Sequence, residues 1–133
     1  VLEGVHNDEI RHVMQDVDVV ADQLIIGWYA MFAIEAMSLE IPVLCHIRDD
    51  LENLYIDAGL LTPGELPLVR CTTRDVKDVI RRLATDRELL PDIGRRSRQF
   101  VLAHHSLEAV GETLDRINRS MGIHPLRHGG GAT

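Results

Sequence analysis

Residues 26–44 pack a strand end, a glycine loop, a short helix, a tight turn and a new strand into one stretch, Ile-Gly-Trp-Tyr-Ala-Met-Phe-Ala-Ile-Glu-Ala-Met-Ser-Leu-Glu-Ile-Pro-Val-Leu. Two strands joined through a helix run parallel, because the helix returns the chain to the starting edge of the sheet. The same alternation continues along the chain. Residues 1–5 read as a strand and 6–8 as a turn. Asn7 or Asp8 is placed to cap a helix to about Val17, with Ile10, Val13, Met14 and Val17 on one face. Residues 19–26 form a near-continuous apolar strand of the kind covered on both faces. A helix over 29–39 and a strand over 42–46 follow. Residues 48–61 read as a short helix, broken by Gly59 and by Thr62-Pro63-Gly64. A strand at 66–69 precedes a helix capped by Thr72 or Thr73, with Val76, Val79, Ile80 and Leu83 on one face. Another helix runs over 86–101, and a last one is capped by Ser106, with Leu107, Val110, Leu114 and Ile117 inward.

Strands alternating with helices of about ten residues predict an α/β fold: a Rossmann-like parallel sheet with helices on both faces. We expect one such domain over residues 1–122 and a flexible tail over 123–133, marked by Gly129-Gly130-Gly131. In such sheets ligands bind beyond the carboxyl ends of the strands. The loops after Val5, Ile26 and His46 would all open there.

Composition narrows the partners. A net charge of −7 argues against a broad nucleic-acid or anionic-membrane surface, and no apolar run is long enough to span a bilayer. Cys45 and Cys71 are far apart and sit at the ends of apolar runs, as small core residues of a reducing compartment do. With no signal-peptide pattern at the start, the expected location is cytoplasmic. The sequence opens with Val1 inside an apolar run, which reads as part of a longer chain.

A loop that runs into a helix N-terminus presents free N–H groups and the positive end of a dipole, a place for phosphate or another anion. The candidate binding residues are therefore Gly27, Trp28, Tyr29, Ala30 and Met31, with Glu35 about one turn inside the helix. Phe32, Ile34, Ala36 and Met37 make that helix apolar almost all round, so a carboxylate on it needs a partner or a ligand. Trp28 and Tyr29 either stack on a sugar or base or plug the sheet edge. Adjacent histidines on a helix do not face each other. His104-His105 is therefore read as a turn pair, and no metal is expected. Arg81-Arg82 and Arg95-Arg96-Arg98 read as solvated faces. The sequence carries no Walker loop, CxxC pair, Ser-His-Asp order or G-x-G-x-x-G.

Residues 21–44, with Glu35-Ala36-Met37 followed by Pro42-Val43-Leu44, resemble the donor-binding, C-terminal domain of family 4-type glycosyltransferases. Those enzymes set two Rossmann-like domains face to face, the GT-B architecture. The wider frame is similar too: residues 1–5, the helix after His6-Asn7-Asp8, Asp16-Val17-Asp18-Val19-Val20, and His105-Ser106 with the last helix. The likeness spans roughly residues 1–122. It implies that Glu35 contacts the ribose hydroxyls of a nucleotide-sugar donor, the co-substrate, with no separate cofactor. The position of the glutamate that contacts the transferred sugar is Gly27. Trp28-Tyr29-Ala30 stands loosely where the family has Gly-Phe-Gly, and Glu40 stands where it has a turn glycine. The family's basic phosphate-binding residues have no counterpart here.

The expected function is therefore the donor-binding part of a glycosyltransferase, with retention of configuration implied by the resemblance. A separate N-terminal domain would supply the acceptor site, and this part alone would be inactive. A homo-oligomer formed through an open sheet edge is also expected. Two other readings stay open. One is a degenerate, non-catalytic nucleotide-binding or interaction module. The other is a flavodoxin-like regulatory domain, for which Asp22 and Asp49-Asp50 are the available acidic residues.

Overall fold

The computed structural model describes residues 6–123. The predicted strand over 1–5 and most of the predicted tail lie outside them. Six α-helices and a three-stranded parallel sheet make up the described part. The elements are α1 (Asn7–Gln15), β1 (Val20–Ala21), α2 (Met31–Ser38), β2 (Val43–Cys45), α3 (Asp49–Asp57), β3 (Val69–Arg70), α4 (Val76–Thr85), α5 (Leu90–His104) and α6 (Leu107–Ser120). The strand order is β1-β2-β3, with Val20 beside Val43, Leu44 beside Val69 and Cys45 beside Arg70.

The central strand sorts the core into two layers. Side chains alternate across a strand. Val43 and Cys45 enter a cluster with Met14 of α1, Ala33, Ala36 and Met37 of α2, and Phe100 and Val101 of α5. Leu44 points the other way, into a cluster with Val79 and Leu83 of α4. Helices thus cover both faces, and the Rossmann-like α/β class expected from the sequence is the one observed.

The predicted strand over 19–26 is cut short. Pairing persists through Asp22, whose N–H donates to Leu44 O, and Gln23, whose carbonyl accepts from His46 N. The chain then bends away from the sheet, and Ile25 is 79 % exposed. Among the described residues no strand lies across from these, and their apolar side chains alone do not make them a strand. The predicted start of α1 also moves. His6 is the N-cap, with no side-chain cap bond. Met14 is buried, whereas Val13 and Val17 face out. The predicted inward face of α6 is open too: no residue of that helix is buried, and Leu107 is 89 % exposed.

The turn between α2 and β2 holds a residue in left-handed backbone. Glu40 has φ +62°, the one non-glycine residue with positive φ among those described. Left-handed backbone costs an L-residue with a side chain roughly 1–2 kcal/mol. Glu40→Gly should therefore raise stability by about 1 kcal/mol, read as a higher denaturation midpoint in urea at unchanged slope. The exposed contact of Glu40 with Arg98, at 3.8 Å, offsets little of this. A lower midpoint in Glu40→Gly would show that the turn depends on the glutamate side chain.

Candidate functional site

Parallel pairing sends the loops after β1, β2 and β3 to one edge of the sheet. The loop after β1 is held by two hydrogen bonds. Asp22 Oδ2 accepts from Ala30 N at 2.8 Å, so a carboxylate already lies at the start of α2. Gly27 O accepts from Arg48 N at 2.9 Å, which ties the loop to the one after β2. Gly27 itself is buried with φ +94°. A Cβ added there would run into the Arg48 side chain, 2.5 Å from its Cδ. Both conformation and space thus call for glycine, and the Arg48 stem fills the place a side chain at position 27 would take.

Aromatic stacking fixes the rest of the loop. The Trp28 ring lies 4.5 Å from that of Tyr55 in α3 and 5.3 Å from that of Tyr29. The Tyr29 ring meets Phe100 of α5 edge-on. The Tyr29 hydroxyl lies 3.0 Å from His105 Nε2. Burial, with a smaller contribution from Tyr55, pushes the Tyr29 pKa up to about 12, so the phenol keeps its proton. With a neutral His105, the phenol donates to Nε2 when the ring proton is on Nδ1 and accepts from Nε2–H in the other tautomer. Burial, and to a lesser extent His104, lowers the His105 pKa and favours that neutral form.

The two adjacent histidines reach in different directions. His104 Nε2 is 2.6 Å from Glu65 Oε1, while Thr62 N and Oγ1 donate to Glu65 Oε2. Those Thr62 bonds and His104 hold the Glu65 carboxyl below its ordinary range. Among the described residues no cluster of three His, Cys, Asp or Glu side chains is arranged to hold a metal ion. Both cysteines are buried thiols, and burial pushes Cys45 up to about 11.

A cleft of about 400 Å³ opens beside this network, bounded by Tyr29, Tyr55, Leu60, His104, His105 and Arg116. Of the predicted binding residues, only Tyr29 lines it. Ala30 is the N-cap of α2, with no side-chain cap bond of its own. Met31, Phe32 and Glu35 form the exposed arc of α2, next to the loop. The expectation that this helix is buried all round is therefore corrected: only Ala33, Ala36 and Met37 are buried. A helix of eight residues packed on one face by α5 and the sheet leaves the opposite face to solvent, so Glu35 needs no buried partner. Sequence reading missed Tyr55 and His105. His105 meets Tyr29 across 76 positions, through the return of α5 along α2, and no local spacing signals that.

His105 gives the site a pH dependence of known sign. Its pKa is lowered in the folded state, so below the ordinary 6.5 the unfolded chain binds more protons. Stability should therefore fall as pH drops from 6.5 toward the lowered folded value. His105→Gln, which keeps an acceptor for Tyr29, should flatten that part of the curve of melting temperature against pH. An unchanged slope in the variant would assign the effect to other groups.

The family model described as glycosyl transferase-like matches residues 5–116, most of the chain. The chain belongs to this glycosyl transferase-like family. No curated protein and no solved structure gives a significant match. In this glycosyl transferase-like chain the matched stretch takes in the β1 loop, α2 and the edge on which they lie. Among the described residues no helix is long and apolar enough to cross a membrane.

Proposed function

We propose that the β1 loop and the start of α2 bind the nucleotide part of a nucleotide-sugar donor for glycosyl transfer, with retention of configuration. The observation that carries this is the placement of the tightly turned Gly27 loop and the start of α2 at the carboxyl edge of a parallel sheet, in a glycosyl transferase-like chain. In transfer, the bond from sugar to diphosphate breaks, an acceptor hydroxyl takes the sugar, and charge collects on the departing diphosphate. Met31 N and Phe32 N, in the first turn of α2, would face that charge, and a fixed dipole stabilises it without reorganising. Glu35, one turn further on, would accept from the ribose hydroxyls. An opposing domain in the natural chain would bring the acceptor, and the 133-residue chain alone would not turn over. Its place of action would be the cytoplasm.

Calorimetric titration with UDP, GDP and ADP, and with their sugar conjugates, tests the binding. Saturable binding of at least one, unchanged by chelator, is expected. Absence of binding across the panel would sink the assignment, and binding restored only by Mg²⁺ would overturn its metal-free form.

One observation favours a non-catalytic nucleotide-binding module as the second reading. Gly27 stands where the resemblance places a sugar-contacting glutamate, and the Arg48 stem fills the space a side chain there would need. Incubating a longer natural chain with labelled nucleotide sugar separates the two readings: release or transfer of the sugar supports the enzyme, and bound but intact donor supports the module.

A further inference from the structure

From the end of β1 through α2 the sequence carries two carboxylates, Asp22 and Glu35, and no basic side chain. They stand at the two ends of the first turn of α2. Asp22 is fixed by the sheet and by the helix at once: its N–H donates to Leu44 O, and its Oδ2 accepts from Ala30 N at 2.8 Å. Glu35 lies five positions beyond Ala30, on the exposed arc of α2. That is about 7.5 Å along the helix axis, the length of a diphosphate with a sugar at each end. Between the two carboxylates lie Met31 N and Phe32 N, neither of which has a backbone partner among the described residues.

The chemistry of Asp22 selects what can rest against it. A carboxylate accepts hydrogen bonds and has none to donate, and a diphosphate is the same, so the two repel. Among the described residues no cation pairs with Asp22 to change that. Arg48, whose stem packs on Gly27, is taken by Asp50, with Nε 2.9 Å from Oδ1. The second oxygen of Asp22 has no partner among the described residues, and a hydroxyl is the donor that a nucleotide sugar can bring to it. The ligand also offers its groups in the right order. With the ribose at Glu35 and the diphosphate on Met31 N and Phe32 N, the next group along is the sugar, and it falls at Asp22. Position 27 cannot take this role, because the Arg48 stem fills the space of a side chain there.

We infer that Asp22 accepts from the hydroxyls of the transferred sugar and biases the site toward the sugar conjugate over the bare nucleoside diphosphate. The inference rests on the nucleotide-sugar reading above and adds to it the residue that recognises the sugar. Calorimetric titration with UDP and UDP-glucose, GDP and GDP-mannose, and ADP and ADP-glucose gives, for each pair that binds, the Kd of the diphosphate divided by that of its conjugate. Asp22→Asn keeps an oxygen for Ala30 N and removes the charge. It should lower that quotient about tenfold, the worth of one charge-assisted hydrogen bond, with the bare diphosphate bound more tightly than by the wild type. A residue that only held the loop would weaken both members of a pair alike. An unchanged quotient therefore overturns the role of Asp22 while the nucleotide site stands, and binding of no pair overturns both. A second measurement on the wild-type chain is independent of how the variant folds. Replacing the sugar hydroxyls of the bound conjugate by hydrogen, one at a time, should weaken binding about tenfold at one position or more, and this sensitivity should vanish in Asp22→Asn. Deoxy conjugates that all bind the wild type as tightly as the parent overturn the inference.

Discussion

Replacing Gly94 by alanine should lower the stability of the fold by about 3 kcal/mol, the upper end of the usual cost of overpacking. Gly94 is buried in α5, where that helix crosses the turn after α2. A Cβ built there would overlap the carbonyl oxygen of Glu40 and lie 3.0 Å from its carbon. The obstacle is backbone, so no side-chain rotation relieves it. The turn has little freedom to give way, because Glu40 N donates to Met37 O and Ile41 N to Ala36 O. Accommodation would mean lifting α5 from α2. That would loosen Phe100 and Val101, which share their core cluster with Ala33, Ala36 and Met37. Gly111→Ala in α6 provides the contrast. It meets open space, so helix propensity alone acts, and the variant should be stabilised by up to about 1 kcal/mol. Urea denaturation of both variants measures the difference. A Gly94→Ala midpoint equal to that of the wild type would show that α5 does not approach the turn as closely as the geometry gives.

Gly94 also marks the limit of what the sequence discloses. The alternation of apolar runs with helices around Val43-Leu44-Cys45 was enough to predict a parallel sheet, because a strand covered on both faces has no polar side chain to spare. Element ends were less legible. Residues 24–26 are as apolar as a buried strand, but whether they pair depends on a neighbour that local sequence does not describe. The role of Gly94, by contrast, was hidden: a lone glycine inside a helix reads as a mild defect until the turn at Glu40 is brought against it. The candidate site divides in the same way. Gly27 was legible as the turn of a loop, and its φ of +94° agrees with that. The Tyr29–His105 bond and the Trp28–Tyr55 stack depend on α5 and α3 folding over the sheet edge, so they belong to tertiary structure alone. On α6 the apolar spacing was read correctly as a seam, but its direction was not, because periodicity says that a face must be covered and not by what.

Glu35→Ala should weaken binding of a nucleotide-sugar donor by roughly ten- to a hundred-fold. A charge-assisted hydrogen bond is worth about 1.5–3 kcal/mol, and the ribose offers two hydroxyls to one carboxylate. The exposure of Glu35 bears on how that loss would arise. An exposed carboxylate is fully hydrated before the ligand arrives, so the bond contributes only what exceeds its contacts with water. Closure of an opposing domain over α2 would exclude that water and move the loss toward the upper figure; in the 133-residue chain alone the lower figure is expected. Glu35→Gln keeps the shape and one acceptor oxygen while removing the charge, and should fall between alanine and the wild type. The fold should not respond, because the side chain lies on the open arc of α2 and only its backbone carbonyl is engaged, by Ser38 Oγ at 2.6 Å. Equal melting temperatures for the three proteins, with ranked dissociation constants for one nucleoside diphosphate, would assign the effect to ligand contact. A Glu35→Ala variant that binds as tightly as the wild type would move the nucleotide away from α2, and the cleft at Tyr29, His105 and Arg116 would become the place to look for it.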